Sequence, residues 1–167
     1  MMISKDTKKE DILMLVKDSC KTCGHCCKFG SGVILKEEAK KIADHLNITE
    51  KEFIEKYTEE FTKFSTKQKR FKQIRENLPH GKCTFLDGNK CQIHNVKPLY
   101  CKIGSCSAIG EDIIKWFDAN YFLNLENPQS VRDYSLYCEF NKPLSGFELE
   151  KLIEQKKLNK ILNYEEG

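Results

Sequence analysis

Between positions 20 and 27 the chain reads Cys20-Lys-Thr-Cys23-Gly-His-Cys26-Cys27, four cysteines in eight residues. A gap of two residues lets a turn fold both sulfurs to one side, so that two thiolates converge on one metal, and repeating the gap adds a third. Cys26 and Cys27 are adjacent, and adjacent side chains diverge in either helix or strand. They are poorly placed to ligate one mononuclear ion together. Either two metal centres share this loop, or a polynuclear cluster does, or one of the pair is not a ligand. An isolated cysteine is usually a small buried hydrophobe; four this close together point to ligation.

The remaining cysteines of the nine are spread along the chain. CTFL and KCQIH flank Asp87-Gly88-Asn89, a strong hairpin turn signal. Cys83 and Cys91 are expected on the two strands of that hairpin, close enough to meet across it. Cys101 follows Lys97-Pro98, which can redirect the chain towards them. Cys106 and Cys138 stand alone, and spacing does not separate ligand from core for either. His25, His80 and His94 lie near the clusters; His94, after Cys91, is the best of them to replace a thiolate. Lys21, Lys28, Lys82, Lys90 and Lys102 each adjoin a cluster cysteine, and cations there help to keep thiolates ionised.

The N-terminal stretch MMISKDTKKEDILMLVKD has no long apolar run. It carries neither a signal-peptide pattern nor a membrane span. The expected location is the cytoplasm, where thiols stay reduced and clustered cysteines serve metals or catalysis rather than disulfides. An odd count also excludes a fully paired disulfide framework. The formal net charge is +3, and only Arg70, Arg75 and Arg132 are arginine. This argues against nucleic acid as a partner, since base edges and phosphates favour the planar guanidinium. Lys63 to Arg75 is a basic run that reads as a solvated strand or helix face before it reads as a polyanion site.

Cys23-Gly-His-Cys26 has the dithiol spacing of disulfide isomerases but lacks the preceding strand of a thioredoxin-like fold. A bacterial-ferredoxin run needs a more distant fourth cysteine followed by proline, and Cys27-Lys28 does not supply it. The Cys-x3-Cys-x2-Cys spacing of radical S-adenosylmethionine enzymes is absent. No Ser-His-Asp set, phosphate-binding glycine loop or paired-carboxylate site is recognisable, so the catalytic residues are unknown.

Periodicity predicts a helix over Lys8 to Asp18, with Ile12, Leu15 and Val16 on one face. Leu35, Ala39, Ile42, Ala43 and Leu46 mark a second. Thr49 with Glu52 opens a third through a capping box, and Phe53, Ile54, Tyr57, Phe61 and Phe64 continue its stripe. A further helix covers Ile109 to Tyr121 and ends by Asn127-Pro128. Ser145 with Glu148 opens a C-terminal one carrying Leu149, Leu152, Ile153, Ile161 and Leu162. The expected fold is a small helix-rich α+β single domain over 1–167, with a β-hairpin and irregular cysteine-rich metal-binding loops. Its parts are a first cysteine loop at 19–30, a helical pair at 35–64, a cysteine hairpin at 82–106 and C-terminal helices within 109–163.

Together CKTCGHCCKFG, NITEKEFIEKY, KCTFLDGNKCQIHNVKPLYCK and YCEFNKPLSGFELEKLI resemble the YkgJ-like cysteine-cluster family, the CxxCxxCC zinc- or iron-chelating domain. The resemblance nominates Cys20, Cys23, Cys26, Cys27, Cys83, Cys91, Cys101 and Cys138 as the metal- or cofactor-binding cysteines. Cys106 becomes the extra one. His94 stands where tyrosine is usual, and Lys97 and Lys102 stand for arginines; Gly104-Ser105 replaces a common Phe-Pro. Members are often labelled iron–sulfur oxidoreductases, and a related cluster occurs in flagellin lysine methylases. The leading expectation is a protein whose partners are metal ions. It would hold zinc or iron ions or an iron–sulfur cluster and could serve as an oxidoreductase or electron carrier. The rival is a non-catalytic zinc-stabilised module binding protein or nucleic acid. A third reading, part of a protein-lysine methylation system, rests on family analogy alone.

Overall fold

The computed structural model describes residues 2–165. The fold is α+β: short helices predominate, and the strands form small antiparallel ladders. Backbone contacts divide the chain into two compact units. The first comprises Met1–Met14, Thr62–Lys67 and Ala108–Gly167, the second Leu15–Phe61 and Gln68–Ser107. A single domain over the whole length is the expectation from sequence.

The second unit holds the first cysteine loop, followed by α2 (His25–Phe29), β1 (Val33–Ile34), α3 (Ala39–His45) and α4 (Glu50–Tyr57). α1 (Lys9–Leu15) precedes them, shorter than expected. Its Ile12 is fully buried, whereas Leu15 is exposed. α3 and α4 form where the periodicity places them, and the Thr49 hydroxyl accepts from the Glu52 N–H at 3.1 Å. The stripe stops early, because the chain leaves α4 at Tyr57 and enters β2 (Thr58–Lys63). Phe61 is therefore a strand residue and Phe64 a turn residue, a correction to the predicted helix. Thr58 explains the switch: this β-branched residue is extended, and its hydroxyl donates to the Ile54 carbonyl at 2.6 Å, closing the last helical turn.

β2 turns through Phe64 and Ser65, both with positive φ, into β3 (Thr66–Phe71). β3 lies between β1 and β2, with Val33 opposite Arg70. β4 (Gln73–Ile74) pairs with β5 (Lys82–Cys83), and β6 (Leu86–Asp87) with β7 (Lys90–Cys91) around Gly88 at φ 58°. The Asp87-Gly88-Asn89 turn forms as expected. Cys83, however, lies outside that hairpin, opposite Gln73 in its own strand pair. α5 (Leu99–Ile103) completes the unit. Its core gathers Ile42, Phe53, Phe71, Phe85 and Ile93, with Cys83 among them.

In the first unit, α6 (Gly110–Tyr121) forms as predicted. The next helix, α7 (Pro128–Phe140), is not in the predicted set. Asn127-Pro128 starts it rather than ending its predecessor, since the Asn127 side chain accepts from the Gln129 N–H at 3.0 Å and Pro128 occupies the first turn. The C-terminal helix is broken into α8 (Leu149–Leu152) and α9 (Gln155–Leu162), with Ile153 extended and buried between them. Glu148 accepts from the Gly146 N–H, and Ser145 bridges to Ser4 instead of capping the helix. Ile113, Phe117, Val131 and Leu158 fill this core.

Candidate metal centre

Three segments of the second unit carry its cysteines. The first is the loop into α2, bent through Thr22 and Gly24 in left-handed conformations. A Cβ on Gly24 would stand 3.1 Å from the Asn89 Cα, so the loop lies directly against the β6–β7 turn. Ser19, beside Cys20, donates to the Gly104 carbonyl at 3.3 Å. Beyond α2, Ser31 accepts from the Gln73 amide at 3.3 Å, while the same side chain's oxygen accepts from the Gly81 N–H. These bonds tie the first loop to the segments carrying Cys83 and Cys106. The third segment is α5, whose Leu99 N–H donates to the Glu38 carboxylate at 2.6 Å; the other oxygen accepts from Leu35 at 2.9 Å.

The thiols sort by burial. Cys83 is buried, and Cys27, Cys91 and Cys101 are partly buried against the same core. Gly32 is required beside Cys101, because a Cβ there would fall 2.1 Å from the sulfur. Cys20, Cys23, Cys26 and Cys106 are exposed. Burial pushes the Cys83 thiol up to about 12, with Cys27 and Cys91 adding to the rise. Cys101 is raised well above its ordinary value by burial and then by Cys83, Cys27 and Cys91. Burial also leads the rises at Cys27 and Cys91, and Cys20 adds to both. Lys97 pulls Cys27, Cys91 and Cys101 downward. Lys97 does not adjoin a cysteine in sequence. The signal for it was its place in the family's Arg-Pro pair.

The Cys26 thiol is raised by burial, then by Cys106 and Cys23. Cys106, expected to be the extra cysteine, thus lies beside Cys26. Cys138 belongs to the first unit, on α7, where burial raises its thiol, Tyr134 lowers it and Glu150 raises it. The structure brings eight cysteines into one unit and leaves Cys138 in the other. His94 is exposed on the 3-10 turn His94–Val96. His25 and His80 are exposed, and their rings lie 5.3 and 6.2 Å from that of Phe29 between centroids.

Among the described residues, no three His, Cys, Asp or Glu side chains stand in ready-made metal-ligand geometry. The donor set nonetheless fits a soft or borderline metal: reduced thiols, several of them gathered on one core, with a lysine ammonium to offset thiolate charge. The basic run is less available to a polyanion than its composition suggests. Arg70 and Arg75 both hold Glu59, at 2.8 and 2.6 Å, and Lys72 donates to the Glu55 carbonyl. Among the described residues, no helix is long and apolar enough to cross a membrane.

A family model, CxxCxxCC, described as a putative zinc- or iron-chelating domain, matches residues 19–140. No curated protein and no solved structure matches the chain.

Proposed function

The chain belongs to this zinc- or iron-chelating family, and from that premise we propose that it is a cytoplasmic metal-holding protein whose ligands are the thiolates of the second unit. The observation that carries the reading is that Cys27, Cys91 and Cys101 pack against the same hydrophobic core that holds buried Cys83. Bound zinc would close the cysteine loops onto the small core; bound iron would add one-electron chemistry, with Lys97 tuning its potential. Thiolate donors accept zinc, iron–sulfur clusters and copper(I) alike, so the metal is identified by measurement. Elemental analysis and an absorption spectrum of anaerobically purified protein make the test. Bound zinc or iron, lost when the thiols are alkylated, is the expected result. Protein that purifies without either metal, and takes up neither on anaerobic reconstitution, overturns the reading.

A further inference from the structure

α2 and the strand pair β4–β5 adjoin in the second unit, and Gln73 joins them. Its amide donates to the Ser31 hydroxyl just beyond α2 at 3.3 Å, and its side-chain oxygen accepts from the Gly81 N–H at 3.2 Å. In the strand pair Ile74 stands opposite Lys82, and both are exposed, while Cys83 in the next register position is buried. Alternation along a strand thus leaves Ile74 and Lys82 on the outer face. Residues 75–80 loop out between these strands, and Gly81 closes the neck, where a Cβ would fall 2.0 Å from the Ile74 carbonyl oxygen. Inside the loop Glu76 and Asn77 are both left-handed, at φ 46° and 71°, and the Leu78 N–H donates back to the Arg75 carbonyl at 2.8 Å. Two successive non-glycine residues in that region carry strain, which persists where the shape of a loop is over-determined and clusters at ligand clamps. The shape kept here leaves Leu78 60% exposed. Phe29 of α2 is 59% exposed and Ile74 44%, and the Phe29 ring lies 6.2 Å from that of His80 in the same loop. One exposed apolar side chain is ordinary; several on adjoining segments mark an interaction surface.

Charge decides what covers this surface. Segments 25–30 and 73–82 contain Lys28, Arg75 and Lys82 against a single carboxylate, Glu76. Glu59 holds Arg75 at 2.6 Å. Lys28 and Lys82 are exposed, and no ion pair among the described residues takes up either ammonium. A second copy of the chain docked through the same surface about a two-fold axis would set these lysines against their own equivalents. We propose that the surface formed by Phe29, Ile74 and Leu78 docks an acidic segment of another protein. Apolar side chains of that segment cover the three residues, and its carboxylates meet Lys28 and Lys82. This goes beyond the chelation reading and does not require that a metal be bound.

The test selects a display library of random peptides on the full chain, reduced and supplied with zinc. Enriched peptides are synthesised and their affinities measured by fluorescence anisotropy. The expected binders are acidic and carry apolar residues. Leu78→Ser weakens them by about tenfold or more. Lys28→Glu weakens them by about threefold and flattens their salt dependence. Phe140→Ser, which removes a side chain 82% exposed on α7, changes nothing. A second measurement needs no variant: bound peptide slows hydrogen exchange of the wild type within 25–30 and 74–82. No enriched peptide, binders without acidic excess, affinity that survives both Leu78→Ser and Lys28→Glu, or protection elsewhere overturns the proposal. Self-association in sedimentation that Leu78→Ser abolishes would give the surface to a second copy. Binding to phosphatidylserine vesicles abolished by the same change would give it to a lipid surface, and either result overturns an acidic protein partner. Metal content of the same samples is measured separately, so failure of this docking site and failure of chelation are told apart.

Discussion

Asp118 on α6 is buried, with 4% of its side chain exposed, and it is paired with Lys63 of the β2–β3 hairpin. The Lys63 ammonium also lies over the Phe64 and Tyr137 rings, 5.5 Å from each centroid. Burial raises the Asp118 carboxyl above its ordinary value, and Lys63 pulls it back only in part. A carboxyl raised on folding favours the protonated fold. That contribution is complete below the unfolded value near pH 4 and is lost as pH climbs through the folded value. Lys63→Met removes the compensating charge and leaves a buried carboxylate alone. The variant is expected to lose about 3 kcal/mol at neutral pH, and the loss shrinks as acid protonates Asp118. Urea unfolding of both proteins between pH 5 and pH 8 checks it; a deficit that does not change with pH would show that Asp118 is not the group responsible. Gly32 makes the same kind of demand sterically, since its missing Cβ is what leaves room for the Cys101 sulfur.

Short elements in this chain are held by side chains from elsewhere, and Glu38 is the clearest case. Its carboxylate accepts from Leu35 at the entry to α3 and from Leu99 at the first turn of α5. α5 is too short to be stable by itself, and Cys101 is on it. Glu38→Ala is expected to cost about 1–2 kcal/mol by orphaning two N–H groups and to weaken metal retention through Cys101. Thermal unfolding and chelator competition measure the two effects; unchanged retention would separate α5 from the site. Element type was legible where periodicity ran long, as in α3, α4 and α6. It failed at β2, because Phe61 and Phe64 extend the stripe of α4 at helical spacing while Thr58 has already turned the chain into a strand. α7 was missed because Asn127-Pro128, a good helix opening, equally resembles a stop. The split of α8 from α9 at Ile153 has no local signal: Ile153 is extended because that conformation buries it.

For the molecule as a whole, local spacing announced the CxxCxxCC loop and the Cys91 turn, whereas the grouping of thiols is a tertiary fact. Nothing near Cys106 in sequence announces Cys26, and nothing near Cys138 shows that α7 places it among first-unit residues. The division into units has an energetic consequence. A metal that binds the folded chain and not the unfolded one stabilises by mass action, about 4 kcal/mol at a thousand times its dissociation constant. That free energy acts on the openings that break the site. If the thiolates of the second unit are the ligands, zinc slows hydrogen exchange most in Leu15–Phe61 and Gln68–Ser107, the segments that supply them. The amides of α6, α7 and α9 respond much less, and a chelator reverses the pattern. Exchange read by mass spectrometry with and without zinc makes the comparison. The largest protection falling on α7, around Cys138, would move the metal to the first unit. Equal protection throughout would mean that the units open as one cooperative body.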